Sequence, residues 1–308
     1  MKAITITAFG GPENLQLTDV PDPATGPDEV LVEVAAAGVN RADLLQRQGF
    51  YPPPPGASDI LGLEVSGLAD GQPACALLSG GGYAERVAVP RGQVMPLPPG
   101  VDLVTAGGIP EVACTVYSNL AMTAHLQPGE RLLIHGGGSG IGTFAIQWAR
   151  AIGAEVAVTA GGDEKLRRCA ELGAQTLINY REQDFVDAGP FDVILDVVGA
   201  KYLQRNVQAL ADGGRLVVIG LQGGVQAELN LAVLLAKRGS IIATSLRSRS
   251  DEQKAAICQA VVENVWPLYG TGKITPIVDR ELPITQAGAA HALLAGSGHF
   301  GKVILQVR

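Results

Sequence analysis

The sequence predicts an α/β protein of two domains, a partial β-barrel and a doubly wound parallel sheet. Its 308 residues exceed the size at which one hydrophobic core usually stops growing. Thirteen of the 19 prolines precede residue 100, which separates a turn-rich β segment from an alternating α/β segment. A buried strand, a glycine-rich turn and a helix follow one another over residues 132–149, typical of a parallel α/β unit.

The N-terminal segment is predicted to contain short strands joined by turns, which favours an antiparallel partial barrel. These strands cover residues 3–8, 15–20, 30–35, 61–67, 74–78 and 83–89. A short helix is expected over 38–49, and the prolines of 52–55 then impose a stiff extended loop. The apolar stretch 101–126 is interrupted by Asp102, Pro110 and Glu111, which favours buried helices over a membrane span.

The second segment alternates strands with helices, as a complete doubly wound fold requires. Its strands are predicted at 132–134, 155–160, 176–180, 191–199, 215–220 and 240–246. A last strand, 301–307, has no partner in this set, so we place it back in the barrel. The predicted domains are therefore 1–112 with 252–308, and 113–251.

The glycine-rich turn after the first parallel strand is a candidate phosphate-binding loop. Gly137-x-Ser139-x-x-Gly142 carries serine at the middle glycine of G-x-G-x-x-G, while Gly140-x-Gly142-x-x-Ala145 matches the G-x-G-x-x-A form nearer the helix. Glycines let phosphates approach the backbone, and a helix N-terminus presents free N–H donors to an anion. Ser139, Gly140 and Ile141 are thus predicted to bind a dinucleotide, although a ligand-free turn has the same pattern.

The end of the second parallel strand bears on the choice of dinucleotide. NAD enzymes present an acidic residue about 20 residues beyond the glycine turn. This chain has Gly161 there, with Lys165 on the following helix and Tyr180 after the third strand. A 2′-phosphate needs a cation and hydrogen-bond donors, so these residues favour NADPH. Asp163 and Glu164 count against this interpretation unless they face water.

Charge and cysteine usage exclude other classes of protein. A net charge of −7 argues against nucleic acid or an anionic membrane as the main partner. The four cysteines have no paired C-x-x-C spacing, so neither a disulfide framework nor a structural zinc cluster is predicted. Free thiols, together with an N-terminus that lacks a leader pattern, lead us to expect a cytoplasmic protein.

Several segments resemble the medium-chain dehydrogenase/reductase superfamily over nearly the whole chain. The segments that carry this resemblance are 10–15, 40–49, 53–58, 60–64, 237–240 and 246–249. The chain is most similar to the zinc-free, ζ-crystallin-like quinone oxidoreductases, and within them to the tumour-suppressor-inducible group. The resemblance implies a GroES-like barrel, a Rossmann domain, an NADPH-linked oxidoreductase, and a homodimer paired through the edge of the sixth parallel strand.

The same resemblance implies roles for individual residues. Zinc-dependent relatives have a cysteine ligand where this chain has Asn40 and a histidine where it has Leu63, and neither side chain suits zinc, so no metal is expected. Lys165 and Tyr180 match the positions that hold the 2′-phosphate. Positions that match other cofactor contacts are Asn40 and Thr115 near the nicotinamide ribose, Gly220 and Leu221 at the carboxamide, and Leu246, Arg247 and Lys302 at the outer edge.

Each of these roles has a simpler alternative. Asn40 also fits a helix cap, Lys165 a solvated helix position, and Arg247 and Lys302 ordinary surface charge. Tyr51, on the proline loop, either faces a quinone ring or packs against its neighbours. Asn40 and Tyr51 are the candidate catalytic residues, because the sequence shows no nucleophilic triad or metal cluster and the cofactor must carry the chemistry.

Three functional classes remain open. The first is an NADPH:quinone reductase acting on a small quinone. The second is an NADPH-dependent reductase of enones or alkenals, which shares the fold and the hydride donor. The third is non-catalytic, either an NADPH-binding sensor or an RNA-binding protein, although the acidic charge weighs against RNA.

Overall fold

The computed structural model of the chain describes residues 1–296 and 298–308. These residues form two compact units. The first unit comprises Met1–Cys114 and Leu246–Arg308, and the second comprises Thr115–Ser245. In the described part of the chain, no helix is long and apolar enough to cross a membrane.

The helices and strands follow in chain order. The first stretch contains β1 (Lys2–Ile6), β2 (Leu15–Asp19), β3 (Glu29–Val39), α1 (Arg41–Arg47), β4 (Glu64–Ala69), β5 (Gln72–Leu77), β6 (Arg86–Pro90), β7 (Val94–Pro96), α2 (Leu103–Ala106) and α3 (Pro110–Tyr117). The middle contains β8 (Arg131–His135), α4 (Gly140–Ala151), β9 (Glu155–Ala160), α5 (Asp163–Leu172), β10 (Thr176–Asn179), β11 (Phe191–Asp196), α6 (Leu203–Ala209), β12 (Leu210–Val218), α7 (Leu231–Ala236) and β13 (Ser240–Ala243). The last part contains α8 (Asp251–Asn264), α9 (Trp266–Gly270), β14 (Val278–Pro283), α10 (Ala287–Ala295) and β15 (Lys302–Gln306).

The first unit is built on a largely antiparallel sheet, which confirms the predicted partial barrel. Its strand order is β14-β15-β3-β4-β5-β7, with β6 also paired to β3. β1 and β2 form a separate hairpin. β15 pairs antiparallel with β3, Val303 opposite Val39, so the last strand lies in the barrel as predicted. The alternating residues of β3 that face inward are buried, because one face of the sheet covers the core.

The second unit confirms the predicted doubly wound fold. Its sheet has the order β10-β9-β8-β11-β12-β13, and every pair is parallel. β8 and β11 lie at the centre, where Leu133 and Ile194 are fully buried. Near-continuous apolar strands are expected there, because helices cover both faces of a parallel sheet. The carboxyl ends of β8 and β11 meet at the edge where such folds bind ligands.

Some element boundaries differ from the prediction. The helix expected over 38–49 begins at Arg41, because β3 extends through Gly38 to Val39 and pairs there with β15. A side chain at position 38 would collide with the carboxylate of Glu64, so glycine permits the close approach. β14 was not predicted, because its half-exposed, charged residues suit an edge strand and lack the apolar alternation of a buried one.

Candidate active site

The glycine-rich turn between β8 and α4 is held by its serine. Ser139 is the N-cap residue of α4, and its hydroxyl accepts the N–H of Gly142 at 3.0 Å and donates to the carbonyl of Gly136 at 2.8 Å. A side chain at Gly142 would collide with the carbonyl of Gly136, so the turn needs glycine there. The cap positions the start of the helix, where the first N–H groups have no intrahelical partner.

Gly140 and Ile141 open the first turn of α4, and both are partly exposed. α4 has 12 residues, long enough for the aligned peptide dipoles to favour an anion at its N-terminus. The structure therefore places the predicted residues Ser139, Gly140 and Ile141 together at one helix N-terminus. This arrangement can bind a phosphate through backbone N–H groups.

Gly161 and Tyr180 meet at the ends of the neighbouring strands β9 and β10. A Cβ atom at position 161 would meet the Tyr180 hydroxyl, so the acidic residue that NAD enzymes carry at such a position would have to displace Tyr180. The Tyr180 side chain is 44% exposed and can reach a ligand.

The acidic residues near this corner have partners of their own. The carboxylate of Asp163 accepts a hydrogen bond from the Asn179 side chain at 3.3 Å. Glu164 forms an exposed ion pair with Arg167 at 2.7 Å. Lys165 lies next to them in the first turn of α5 and is partly buried. Both carboxylates are thus engaged, and the cation and the phenol remain suited to an anion.

Three other predicted cofactor residues lie in the second unit. Thr115 is nearly buried on α3, and its carbonyl accepts the Asn119 side-chain N–H at 2.8 Å. Asn119 in turn accepts the Thr244 hydroxyl at 2.6 Å. Gly220 and Leu221 follow β12, and Leu221 is 54% exposed. A side chain at Gly220 would lie 2.8 Å from the carbonyl of Val197, so the loops after β11 and β12 touch through the glycine.

In the first unit, Asn40 and Lys302 form a buried cluster with Glu64. The Lys302 ammonium donates to the Glu64 carboxylate at 2.5 Å and to the Asn40 amide oxygen at 2.8 Å. The Asn40 amide nitrogen donates to the same carboxylate at 2.9 Å. The second Glu64 oxygen accepts the backbone N–H of Glu111 at 2.9 Å. Glu64 is 0% exposed, so this ion pair fixes the orientation of the Asn40 amide.

Asp43 holds the backbone next to this cluster in place, and the sequence did not predict this role. Its buried carboxylate accepts the backbone N–H groups of Asn40 at 2.7 Å and Gly62 at 3.1 Å. It also accepts the Tyr83 hydroxyl at 3.2 Å, and that hydroxyl contacts His291 at 3.2 Å. Burial raises the pKa of Asp43 to about 6. The Asn40-to-Asp43 spacing is that of a capping box and is the signal that could have found it.

Arg247 forms a second cluster with Tyr51 and Gln46. Its guanidinium donates to the Gln46 side chain at 2.7 Å and to the carbonyl of Ser79 at 2.8 Å, and it stacks 5.3 Å from the centre of the Tyr51 ring. Arg247 and its neighbour Leu246 are nearly buried, as is Lys302. The surface-charge alternative for Arg247 and Lys302 is therefore wrong, because both cations are inside with hydrogen-bond partners.

The described residues of the Asn40 cluster do not offer a zinc site. No group of three or more His, Cys, Asp or Glu side chains in residues 1–296 and 298–308 is arranged to hold a metal ion. Asn40 presents an amide and Leu63 an alkyl chain, neither of which suits zinc. The Lys302 ammonium touches the Asn40 amide oxygen and would repel a divalent cation there.

Two protein-family models match segments of the chain. Residues 140–260 match the family model described as zinc-binding dehydrogenase, and residues 26–71 match the alcohol dehydrogenase GroES-like domain. The chain is 34% identical to the quinone oxidoreductase of Rattus norvegicus, over 99% of this chain and 97% of that protein.

Solved structures show the same likeness. The quinone oxidoreductase of Thermus thermophilus, solved also in its complex with NADPH, is 33% identical with a TM-score of 0.86 and covers 100% of both chains. Escherichia coli quinone oxidoreductase complexed with NADPH is 27% identical with a TM-score of 0.87, again over 100% of both chains. Identity at this level over the full length, together with the two-unit fold, shows that the chain is an oxidoreductase of the quinone oxidoreductase family, in the medium-chain dehydrogenase/reductase superfamily.

Proposed function

We propose that this protein is a zinc-independent NADPH:quinone oxidoreductase that transfers hydride from NADPH to a small quinone. The observation that carries the proposal is the corner beside the glycine-rich turn, where Gly161 takes the place of an acidic residue and the Tyr180 hydroxyl lies against it. Relatives named quinone oxidoreductase and crystallised with NADPH support it. We assign NADPH binding to residues 113–251, and the catalytic role to residues 1–112 with 252–308.

The second unit has the features that NADPH requires. Ser139, Gly140 and Ile141 would hold its pyrophosphate at the start of α4, beside a turn whose close backbone contacts require glycine at position 142. Lys165 and Tyr180 would hold the 2′-phosphate by charge-assisted hydrogen bonds. Other cofactor contacts are proposed in this unit for Gly220, Leu221 and Thr115 at the nicotinamide half. In the first unit they are proposed for Leu246 and Arg247 at the outer edge, and for Lys302, which the structure places beside Asn40.

The proposed role of the first-unit residues is to orient the cofactor and the acceptor. When bound, NADPH supplies the hydride. Asn40, whose amide is fixed by Glu64, Lys302 and the carbonyl of Gly38, is held in one orientation beside the proposed position of the nicotinamide ribose. Tyr51, held against Arg247, offers a ring face to a planar acceptor. Reduced quinones carry a resonance-stabilised oxyanion, so this set of residues needs no dedicated acid.

Turnover of an acceptor panel tests the function. Purified protein is mixed with NADPH and with ortho-quinones, para-quinones or enones, or with NADP⁺ and simple alcohols, and the nicotinamide absorbance is followed by stopped flow. We expect oxidation of NADPH by quinones and no oxidation of the alcohols. Turnover with enones alone would place the protein among the enone or alkenal reductases. Turnover with no acceptor, despite NADPH binding, would favour the sensor class.

Zinc independence is a separate part of the proposal. It is supported by the donor set at Asn40 and Leu63 and by the ammonium of Lys302 beside it. We expect elemental analysis to find zinc well below one atom per chain and expect chelator to leave turnover unchanged. Stoichiometric zinc with chelator-sensitive turnover would contradict this part while leaving the quinone activity standing.

We also propose a homodimer. β13 is an edge strand of the second unit, with β12 as its neighbour in the sheet, and it carries Ile241 and Ile242. An open edge of this kind is a pairing surface. Leu231 and Leu235 on the preceding helix α7 are strongly exposed apolar side chains, which a second copy of the chain would cover.

A cytoplasmic location is likewise part of the proposal. It is supported by four free cysteines, all buried, which reducing compartments maintain.

Burial raises the pKa of Cys169 to about 12, and the pKa of Cys114 is also raised, first by its hydrogen bond with Cys258. These two thiols are therefore inert as nucleophiles at neutral pH, and the proposed reaction does not use them.

A further inference from the structure

A buried chain of hydrogen bonds crosses the second unit behind the glycine-rich turn. His135, the last residue of β8, contacts the Thr159 hydroxyl through Nδ1 at 3.1 Å and the Asn206 amide oxygen through Nε2 at 2.8 Å. The Asn206 amide nitrogen donates to the Asp196 carboxylate at 3.1 Å. All four residues are at most 1% exposed. Burying four polar side chains costs desolvation free energy, and apolar residues of similar shape could fill the same space. Their presence therefore suggests a role beyond packing.

Both ends of the chain of hydrogen bonds hold the backbone of turns at the ligand-binding edge of the sheet. At one end, the N–H of Gly136 is shared between the Thr159 hydroxyl at 3.3 Å and the Thr159 carbonyl at 3.1 Å, and the same carbonyl accepts the N–H of Gly137 at 3.0 Å. At the other end, the Asp196 carboxylate accepts the N–H groups of Val198 at 2.7 Å and Gly199 at 3.0 Å. The glycine-rich turn after β8 is thus tied to the turn after β11.

The chemistry of the groups gives the hydrogen bonds one direction. An ionised Asp196 only accepts, so the Asn206 amide nitrogen must face it and the amide oxygen must face His135. His135 therefore donates from Nε2, and its Nδ1 accepts from the Thr159 hydroxyl, whose oxygen is left to accept from Gly136. Burial lowers the pKa of His135 to about 4, so the ring is neutral at neutral pH, as this direction requires.

The ring is also fixed by its aromatic neighbours. Phe185 and Tyr202 pack edge-on against His135, with ring centres 4.7 Å and 4.9 Å away. Arg205 stacks over both aromatic rings and lies near enough to disfavour a second positive charge on the histidine. The ring cannot turn without disturbing this packing, so the hydrogen-bond direction is preserved.

We propose that Thr159, His135 and Asn206 are positioning residues for the dinucleotide, with His135 held as the Nε2–H tautomer so that the hydrogen bonds to Asp196 fix both turns. This inference rests on the NADPH site proposed above and adds to it residues that do not touch the cofactor. The turns carry the phosphate-binding glycines on one side and pack against the loop of Gly220 on the other. Breaking the chain of hydrogen bonds should therefore weaken cofactor binding and leave the chemical step intact.

The first test compares two substitutions of one residue. Thr159→Val keeps the shape of the side chain and removes the hydroxyl, whereas Thr159→Ser keeps the hydroxyl. We expect Thr159→Val to raise the Kd and KM for NADPH about tenfold, with kcat and the KM for quinone nearly unchanged and with a cooperative thermal transition retained. Thr159→Ser should restore wild-type NADPH affinity. A folded Thr159→Val variant that binds NADPH as tightly as wild type would overturn the inference.

The second test does not depend on cofactor or activity. Nitrogen-15 NMR of the imidazoles, with His135 assigned by its loss in His135→Gln, reports the tautomer directly. We expect Nε2–H at pH 7 with no NADPH present, and an imidazolium or an Nδ1–H tautomer would overturn the inference. Failure of wild type to bind NADPH would refute the proposed cofactor, whereas NADPH binding that is indifferent to Thr159 would refute the positioning role alone.

Discussion

In the proposed site, Lys165 is the residue on which a preference for NADPH would depend most directly. Removing one charge-assisted hydrogen bond costs roughly 1.5–3 kcal/mol, or about one to two decades in affinity. We predict that Lys165→Ala weakens NADPH binding by that factor and leaves NADH binding nearly unchanged, as measured by fluorescence titration. Lys273→Ala is the control, since it removes an exposed lysine of the first unit that the proposed site does not use. Equal losses for both cofactors would remove Lys165 from the phosphate site.

Gly161 and Tyr180 should act as one unit, because a side chain on the first displaces the hydroxyl of the second. We predict that Gly161→Ala lowers NADPH affinity in the wild-type background and has little further effect in Tyr180→Ala. Neighbouring residues that share one interaction are expected to be non-additive in this way. Titrating NADPH into the two single variants and the double variant measures the coupling. Additive losses would show that the alanine acts on something other than Tyr180.

His135 gives a prediction on pH and stability. Burial lowers its pKa from 6.5 to about 4 in the folded protein. A depressed pKa in a base contributes stability above pH 6.5 that is lost as pH falls towards and through 4, because the unfolded chain binds the proton first. Between pH 7 and pH 5 wild type should lose about 2 kcal/mol more unfolding free energy than His135→Gln.

Urea unfolding of both proteins at the two pH values checks this. The comparison with the variant matters, since Asp43 and Asp196 have raised pKa values of about 6 and oppose the histidine in the same window. Their contribution is present at low pH and is lost as pH rises through 6. Identical pH dependence in wild type and His135→Gln would mean that the histidine is not held neutral.

At the scale of residues, the sequence identified candidate site residues where the side chain differs from the one that a known motif would have at that position. Gly161 was found because an acidic residue was expected there, and Asn40 because a family ligand is replaced. The support around them was not predictable. Asp43 has one local signal, its capping-box spacing from Asn40. Its contact with His291 through Tyr83, and the contact of His135 with Asn206, join residues that lie far apart in the chain. No local sequence pattern predicts a contact between residues so far apart in the chain.

At the scale of elements, the turn before α4 should tolerate loss of its cap better than loss of its glycine. We predict that Ser139→Ala costs about 1 kcal/mol of unfolding free energy, and that Gly142→Ala costs clearly more, because its methyl group meets the carbonyls of Gly136 and Gly137. Chemical denaturation of the two variants gives the comparison. Equal stability losses would show that the turn relaxes around the methyl group.

Elements with strong periodicity were predicted well, and weakly patterned ones were not. The parallel strands β8, β9 and β11 are apolar runs ended by turns, and the structure has them where the pattern indicates. β14 and α7 are short and partly exposed, so burial leaves little trace in their sequences. The boundary between β3 and α1 also moved, because tertiary pairing with β15 extends the strand beyond its local preference.

At the scale of the whole molecule, the exposed edge of β13 leads to a prediction on assembly. We expect a dimer at micromolar concentration by light scattering, and a monomer after Ile241→Lys combined with Ile242→Lys, since charges on an edge oppose strand pairing. Phe9→Lys is the control, because it replaces a strongly exposed apolar residue in the first unit with the same charge. A monomeric wild type would refute the proposed homodimer.

The two-part architecture was predictable because composition changes along the chain, with prolines early and alternating α/β patterns later. The return of the last strand to the barrel was also inferred, by counting strands in the second segment. Register and strand order within the barrel were not, since the β segments are short and similar, and many pairings satisfy their alternation equally well.

The position of β15 between β14 and β3 has a consequence for the order of events during synthesis. β3 is synthesised before the second unit, but one of its partners, the strand Lys302–Gln306, is synthesised after that unit. The second unit is one continuous stretch of chain and can fold before β15 is available to complete the barrel. Until then β3 presents an unpaired edge, a template for aggregation that a chaperone would have reason to shield.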